Sequence, residues 1–218
     1  MIQTERQRTE AESRKRIHRL ELAAIALLLG IPRKRKPLNP AEALQMVESI
    51  GSGIFSIRQA ARSTGLISLG HELTVHGVRL DDIGSGLAGK FKDAKRAELY
   101  SRRYAELWRA KFKRFSADIK VSPERAARLA TTESEFRLRS IAITEANRAL
   151  NEEKRAQAIE IQSQTRVQLY EVWDAMRDAC PACMERDGEE TPVGESFRGD
   201  QPGDMHPNCR CESHYITK

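Results

Sequence analysis

CPACMERDGEETPVGESFRGDQPGDMHPNCRC, residues 180–211, holds all four cysteines of this 218-residue chain, as Cys180-Pro-Ala-Cys183 and Cys209-Arg-Cys211. Cys-x-x-Cys puts two thiolates on one tight turn, where both reach a single tetrahedral ion. His206 stands three residues before Cys209 and offers a second turn of equal spacing. Between the halves, Arg186-Asp187-Gly188-Glu189 reads as a hairpin tip, because Asp-Gly suits the φ > 0 positions of a tight turn. The remainder is Gly, Pro and charge, with too little apolar content to bury a core of its own. A metal or a crosslink is therefore expected to hold it. Two disulfides, in one of three connectivities, and four free thiols are the alternatives. Structural Zn2+ is the preferred reading, since no export signal argues for an oxidising compartment. Five donors compete for four places: Cys180, Cys183, His206, Cys209 and Cys211. Either His206 and Cys209 complete the site, or Cys209 and Cys211 do, with His206 beside them.

Upstream, Thr144, Glu145, Asn151 and Trp173 precede Asp178, Cys180, Pro181 and Cys183; Asp187, Gly188, Phe197 and His206-Pro-Asn-Cys-Arg-Cys211 follow. In order and spacing, over roughly residues 122–218, this pattern resembles the phage head morphogenesis proteins, the Mu F-like (SPP1 minor head protein-like) family. Two places depart from it. Glu152 stands where the family usually has Gly, and Gly203-Asp204-Met205 replaces a proline-rich approach to His206. Neither is a presumed ligand. The resemblance implies a minor capsid protein of the virion, at the head interior or portal vertex. It implies portal protein and capsid subunits as partners and roles in head assembly, DNA packaging or ejection.

Composition sets the bounds. Aromatic residues are 6% and charged residues 31%, which suits an extended helical protein more than a sheet protein. The formal charge of +6 divides unevenly: +6 over residues 1–40, −2 over 41–84, +7 over 85–120 and −5 over 121–218. The basic N-terminal half is suited to a negative partner, either packaged DNA bound without sequence preference or an acidic protein surface. The longest apolar run, Leu22 to Ile31, is half of what a bilayer requires, so no membrane span is expected. Nor does it read as a signal peptide: acidic residues precede it and no small-x-small cleavage site follows. Host cytoplasm during assembly is the expected location.

Along the chain, residues 2–29 read as one helix, charged and then apolar, ended by Gly30 and Pro32. PRKRKPLNP (32–40) is a basic connector. Asn39 and Pro40 start a helix to about Ile50, Gly51-Ser52-Gly53 breaks or kinks it, and IFSIRQAARS resumes. Residues 65–89 read as glycine-punctuated loop with a strand or a short helix in it. The His71-Glu72-Leu-Thr-Val-His76 run fails as a zinc-protease motif, because its histidines are five apart where one helix face needs four. Leu87 to Ile119 is a helix with Tyr100, Tyr104, Trp108, Phe115 and Ile119 on one packing face. Ser122-Pro123-Glu124 starts another, through Gln162, with an interruption near Thr131–Ser134. Glu145 has no partner carboxylate in sequence and is assigned a buried orienting role. TRVQLYEVW (165–173) alternates like a strand, and SHYI (213–216) is its expected partner.

The fold class expected is α+β and mostly α. A helical, basic N-terminal arm (1–120) leads into a small zinc-stapled α+β C-terminal domain (121–218). No catalytic constellation is complete, so no enzyme and no small-molecule substrate is expected. The rival expectation is a zinc-stabilised nuclease or toxin-like hydrolase using His206, with Asp204 or Glu145.

Overall fold

A computed structural model of the chain describes residues 40–75 and 88–218, with isolated positions between Lys15 and Ala23. The helix expected over 2–29, the connector 32–39 and the glycine-rich stretch 76–87 lie outside the described residues. Three long helices come first: α1 (Pro40–Val75), α2 (Ala88–Ser116) and α3 (Pro123–Thr165). Then come β1 (Leu169–Asp174), the one-turn helix α4 (Pro181–Met184), β2 (Glu190–Pro192) and β3 (Glu212–Thr217). The three strands form one antiparallel sheet in the order β2-β1-β3. This is the mostly helical α+β class expected. None of the described helices is long and apolar enough to cross a membrane.

Glycine does not break the first of these helices, contrary to the expectation from sequence. The helix α1 runs unbroken through Gly51, Gly53 and Gly65 and continues to Val75, across the start of the expected loop. Its glycines mark close approach. A Cβ on Gly65 would stand 2.7 Å from the Leu150 carbonyl oxygen, and one on Gly51 would stand 3.3 Å from Ser101 Cβ. Burying a packed helix face outweighs the roughly 1 kcal/mol that a helical glycine costs. The interruption expected in α3 is likewise absent. Thr131 and Ser134 return their hydroxyl protons to the carbonyls of Ala127 and Ala130, and the helix carries on.

The start of α3 follows the sequence signal. Ser122 Oγ accepts the Arg125 amide at 3.3 Å, with Pro123 in the first turn. At the far end Arg166 takes a left-handed conformation (φ 59°) and closes the helix on Gln162. Because α3 reaches Thr165, the strand expected from 165 begins only at Leu169. In β1 it pairs with β3 in the register Val172↔His214 and Trp173↔Ser213, so the expected pairing with SHYI is present.

One apolar core runs across the helices on both sides of residue 120. Ile50, Ile54 and Ile57 of α1 meet Tyr104 and Trp108 of α2 and Ala127, Leu138, Ile141 and Ala146 of α3. Trp108 stacks on Phe112 (5.2 Å) and donates to Thr131 Oγ1 (3.1 Å). Ile119, expected on this stripe, is 99% exposed, because α2 ends at Ser116 and the chain turns there. A second core joins Leu69 and Leu73 of α1 and Ala158 and Ile161 of α3 to Leu169, Val193 and Tyr215 of the sheet.

Ions are buried between the helices as well. Arg58, fully buried, donates to Asp93, Glu145 and Glu152, each at 2.6 Å, and Arg62 joins Asp93, Glu152 and Glu153. The Glu152 that departs from the family pattern thus serves as a shared acceptor for two arginines. Glu145 is fully buried between Arg58 and Arg148, in the orienting role expected of it.

Candidate metal centre

Helix α3 positions the closing loop through the residues that the motif contains. Thr144 Oγ1 accepts the Asn208 amide at 2.9 Å. Asn151 Nδ2 donates to the Cys211 carbonyl (3.0 Å), and its Oδ1 accepts the Ser213 amide (3.0 Å). Gly203 (φ +80°) lies against the same two turns; a Cβ there would stand 2.9 Å from Asn151 Nδ2. These contacts fix His206, Cys209 and Cys211 relative to the helix.

The opening turn is held from the sheet side. Cys180 caps α4, with Pro181 at its first position. The Asp-Gly tip folds back onto β1: the Gly188 amide donates to Trp173 O and the Trp173 amide to Glu189 O, both at 2.8 Å. Asp187 Oδ1 accepts the Ala175 amide at 2.8 Å. Trp173 is fully buried, edge-on to Phe197 (5.5 Å) and under the Arg186 guanidinium (5.2 Å). Arg186 also donates to Phe197 O and Asp200. The apolar content is small: Trp173, Phe197 and Ala175 pack with the cysteines themselves.

All five sequence-predicted donors converge here. His206 Nε2 is 3.3 Å from Cys180 Sγ and 3.2 Å from Cys183 Sγ, and Cys183 Sγ is 3.9 Å from Cys209 Sγ. They form two overlapping triads, Cys180–Cys183–His206 and Cys183–Cys209–Cys211, each with its donor atoms within 4.8 Å of one another. Zn–S near 2.3 Å and Zn–N near 2.0–2.1 Å place tetrahedral ligand atoms about 3.5–3.8 Å apart, and the separations here, 3.2–3.9 Å, lie around that range. His206 Nδ1 donates to the Pro207 carbonyl at 2.8 Å, a bond that leaves the Nε2 lone pair facing the sulfurs. No disulfide joins any of the four cysteines.

Without a cation, the cluster's charges sit unequally. A hydrogen bond from the Cys211 thiol holds Cys209 down to about 5, against burial, aided by the backbone amides of Cys211 and Gly203. Burial, then the Cys209 charge, pushes Cys183 up to about 12. Cys211 is driven upward by its bond to Cys209, then by burial. Several thiolates cannot share a buried site unless a cation compensates them.

The carboxylates of the hydrolase expectation are engaged elsewhere, Glu145 as described and Asp204 with Arg148. A second buried cluster carried no sequence signal. Asp174, Glu212 and His214 lie together in the sheet, and Glu72 reaches them from α1 and Lys154 from α3. Burial opposes the charge on His214, but hydrogen bonds to Asp174 and Glu72 raise its pKa to about 10. Burial likewise opposes the Glu72 charge, which Lys154 and His214 overcome, lowering it to about 2. These groups also close the outer edge of β3: the Tyr215 amide donates to Glu72 at 3.2 Å and Lys154 donates to the Ser213 carbonyl. Only the pairing of β3 brings them together, so sequence spacing cannot find them.

Residues 110–214 match the family model described as phage Mu protein F like protein. The match is consistent with the phage head morphogenesis resemblance read from the motifs. It begins inside α2, earlier than the motifs reach, and ends at His214. It therefore takes in the α2–α3 turn, all of α3 and both halves of the cysteine site. No curated protein and no solved structure matches the chain.

Proposed function

We propose that the chain is a minor head protein of a phage particle: a non-enzymatic structural component that docks on the portal and inner capsid. In this reading it takes part in head assembly and in DNA packaging or ejection. The observation that carries it is the match over 110–214, whose span includes a long helix clamped to a cysteine–histidine loop. A structural Zn2+ belongs to the proposal. Its support is the donor set and the separations of Cys180, Cys183, His206, Cys209 and Cys211, and its role is to hold a loop with little apolar area to bury. The partners in this reading are portal and capsid subunits, with packaged DNA as a non-specific contact of the basic helices. The location is the head interior or portal vertex, after assembly in the host cytoplasm.

The test is composition and partnership. Mass spectrometry of purified particles should find the chain at low copy, and the purified chain should co-sediment with the cognate portal protein. Its absence from particles, together with metal-dependent cleavage of DNA that His206→Ala abolishes, would overturn the reading.

A further inference from the structure

The N-terminal half of α3 has an apolar side that the core does not use. Ala126, Ala127, Ala130, Leu138 and Ile141 are buried in the helical body, yet Leu129 and Phe136 look outward, 37% and 77% exposed. Their spacing sets them about two turns apart in one line along the helix. Followed about five turns past Leu129, the same line reaches Asn147. There it is covered: a Cβ on Gly203 would stand 3.3 Å from the Asn147 carbonyl oxygen, and Thr144 beside it accepts the Asn208 amide. The cysteine loop thus covers the far part of this face and leaves the near part bare.

We propose that the bare stripe is a docking surface for an amphipathic helix of another protein, which sets apolar residues on Leu129 and Phe136 and carboxylates on the arginines around them. That the helix belongs to a head subunit rests on the function proposed above; the chemistry of the surface does not. The charges select the partner. Arg125, Arg137 and Arg139 are exposed along the stripe and make no ion pair among the described residues. Glu133, the exposed carboxylate between Leu129 and Phe136, is already held by Arg114 at 2.7 Å and Lys111 at 3.5 Å. What is left over is cationic, so an acidic helix complements it. A second copy of the stripe does not. A two-fold axis between Leu129 and Phe136 brings the Arg125 end of one stripe to the Arg139 end of the other, like charge on like. Phosphates of a nucleic acid would answer the arginines but leave both apolar side chains without a counterpart. Apolar residues at heptad spacing are what one helix offers another, with an aromatic side chain as the central anchor.

Particles assembled with variants of the full chain test this. Phe136→Glu, and separately Arg125→Glu with Arg139→Glu, change exposed positions, so helical circular dichroism and melting temperature should stay at wild-type values. Incorporation into purified particles, counted by mass spectrometry, should fall about tenfold or more in each, the scale of a lost anchor. A photo-crosslinking benzoylphenylalanine in place of Phe136 should, within those particles, join a peptide of another head protein in which Asp or Glu flank apolar residues at helical spacing. Wild-type incorporation of both variants overturns the docking surface and leaves the head reading standing. So does an adduct to DNA, to a second copy of this chain, or to a peptide without carboxylates. Absence of the wild-type chain from particles overturns both.

Discussion

The helical body and the cysteine loop solve the same problem by opposite means. Between α1, α2 and α3, apolar side chains form one continuous core and two buried arginines pair with four carboxylates, so the helices hold one another. Residues 175–211 have only a few buried apolar groups, and four of their glycines adopt positive φ. What shapes that loop is a set of single polar contacts to α3 together with converging sulfur and nitrogen donors. Where apolar area is plentiful, packing suffices; where it is scarce, single polar contacts take over.

Removing the metal should separate the two regions most sharply. In a zinc-loaded protein, a strong chelator should expose 180–211 to protease while helical circular dichroism stays largely intact, because ligand energy is folding energy for such a loop. Equal protection before and after chelation would erase the contrast. On the helical side, Arg58→Met leaves Asp93 and Glu145 without their buried cation. It should cost about 3–5 kcal/mol in denaturant unfolding, and a cost under about 1 kcal/mol would mean that Arg62 and Arg148 carry the load.

The sheet sits between the regions, and pH probes it. His214 is raised to about 10, so its contribution is complete below the unfolded value near 6.5 and is lost as pH climbs towards 10. Glu72 is lowered to about 2, so its contribution is present above about 4.5 and lost as pH falls towards 2. Stability of the metal-loaded protein should therefore be flat from about pH 4.5 to 6.5 and then decline by about 1 kcal/mol per unit. His214→Gln should flatten the alkaline limb; if the slope is unchanged, another group supplies it.

Asn151→Ala deletes the two bonds that Asn151 makes to Cys211 and Ser213 and should cost about 1–3 kcal/mol, with the loss appearing first as faster amide exchange at Ser213. The smallest effect is expected at Gly188. There φ is +78° and a Cβ would meet nothing within 4 Å, so Gly188→Ala should cost about 1 kcal/mol of backbone strain alone. Gly65→Ala, facing a carbonyl at 2.7 Å, should cost more. Reversal of that order would show the loop to be the more rigidly packed region.

Local chemistry was legible in the chain. The Ser122-Pro123 cap, the aromatic stripe through Tyr104 and Trp108 and the Asp-Gly tip rest on neighbours a few residues apart, and SHYI and β1 each show strand alternation before they pair. That the cysteines and His206 come together was legible too, since Cys-x-x-Cys and His-x-x-Cys each close within one turn. Whether a glycine breaks a helix was not legible, because Gly51 and Gly65 answer to Ser101 and Leu150, residues that only packing brings near. The Arg58 network and the Glu72–Lys154–His214 cluster belong to the same class. Each depends on charges from separate elements meeting out of water, where a pair's energy is set by distance and burial. Sequence order fixes neither.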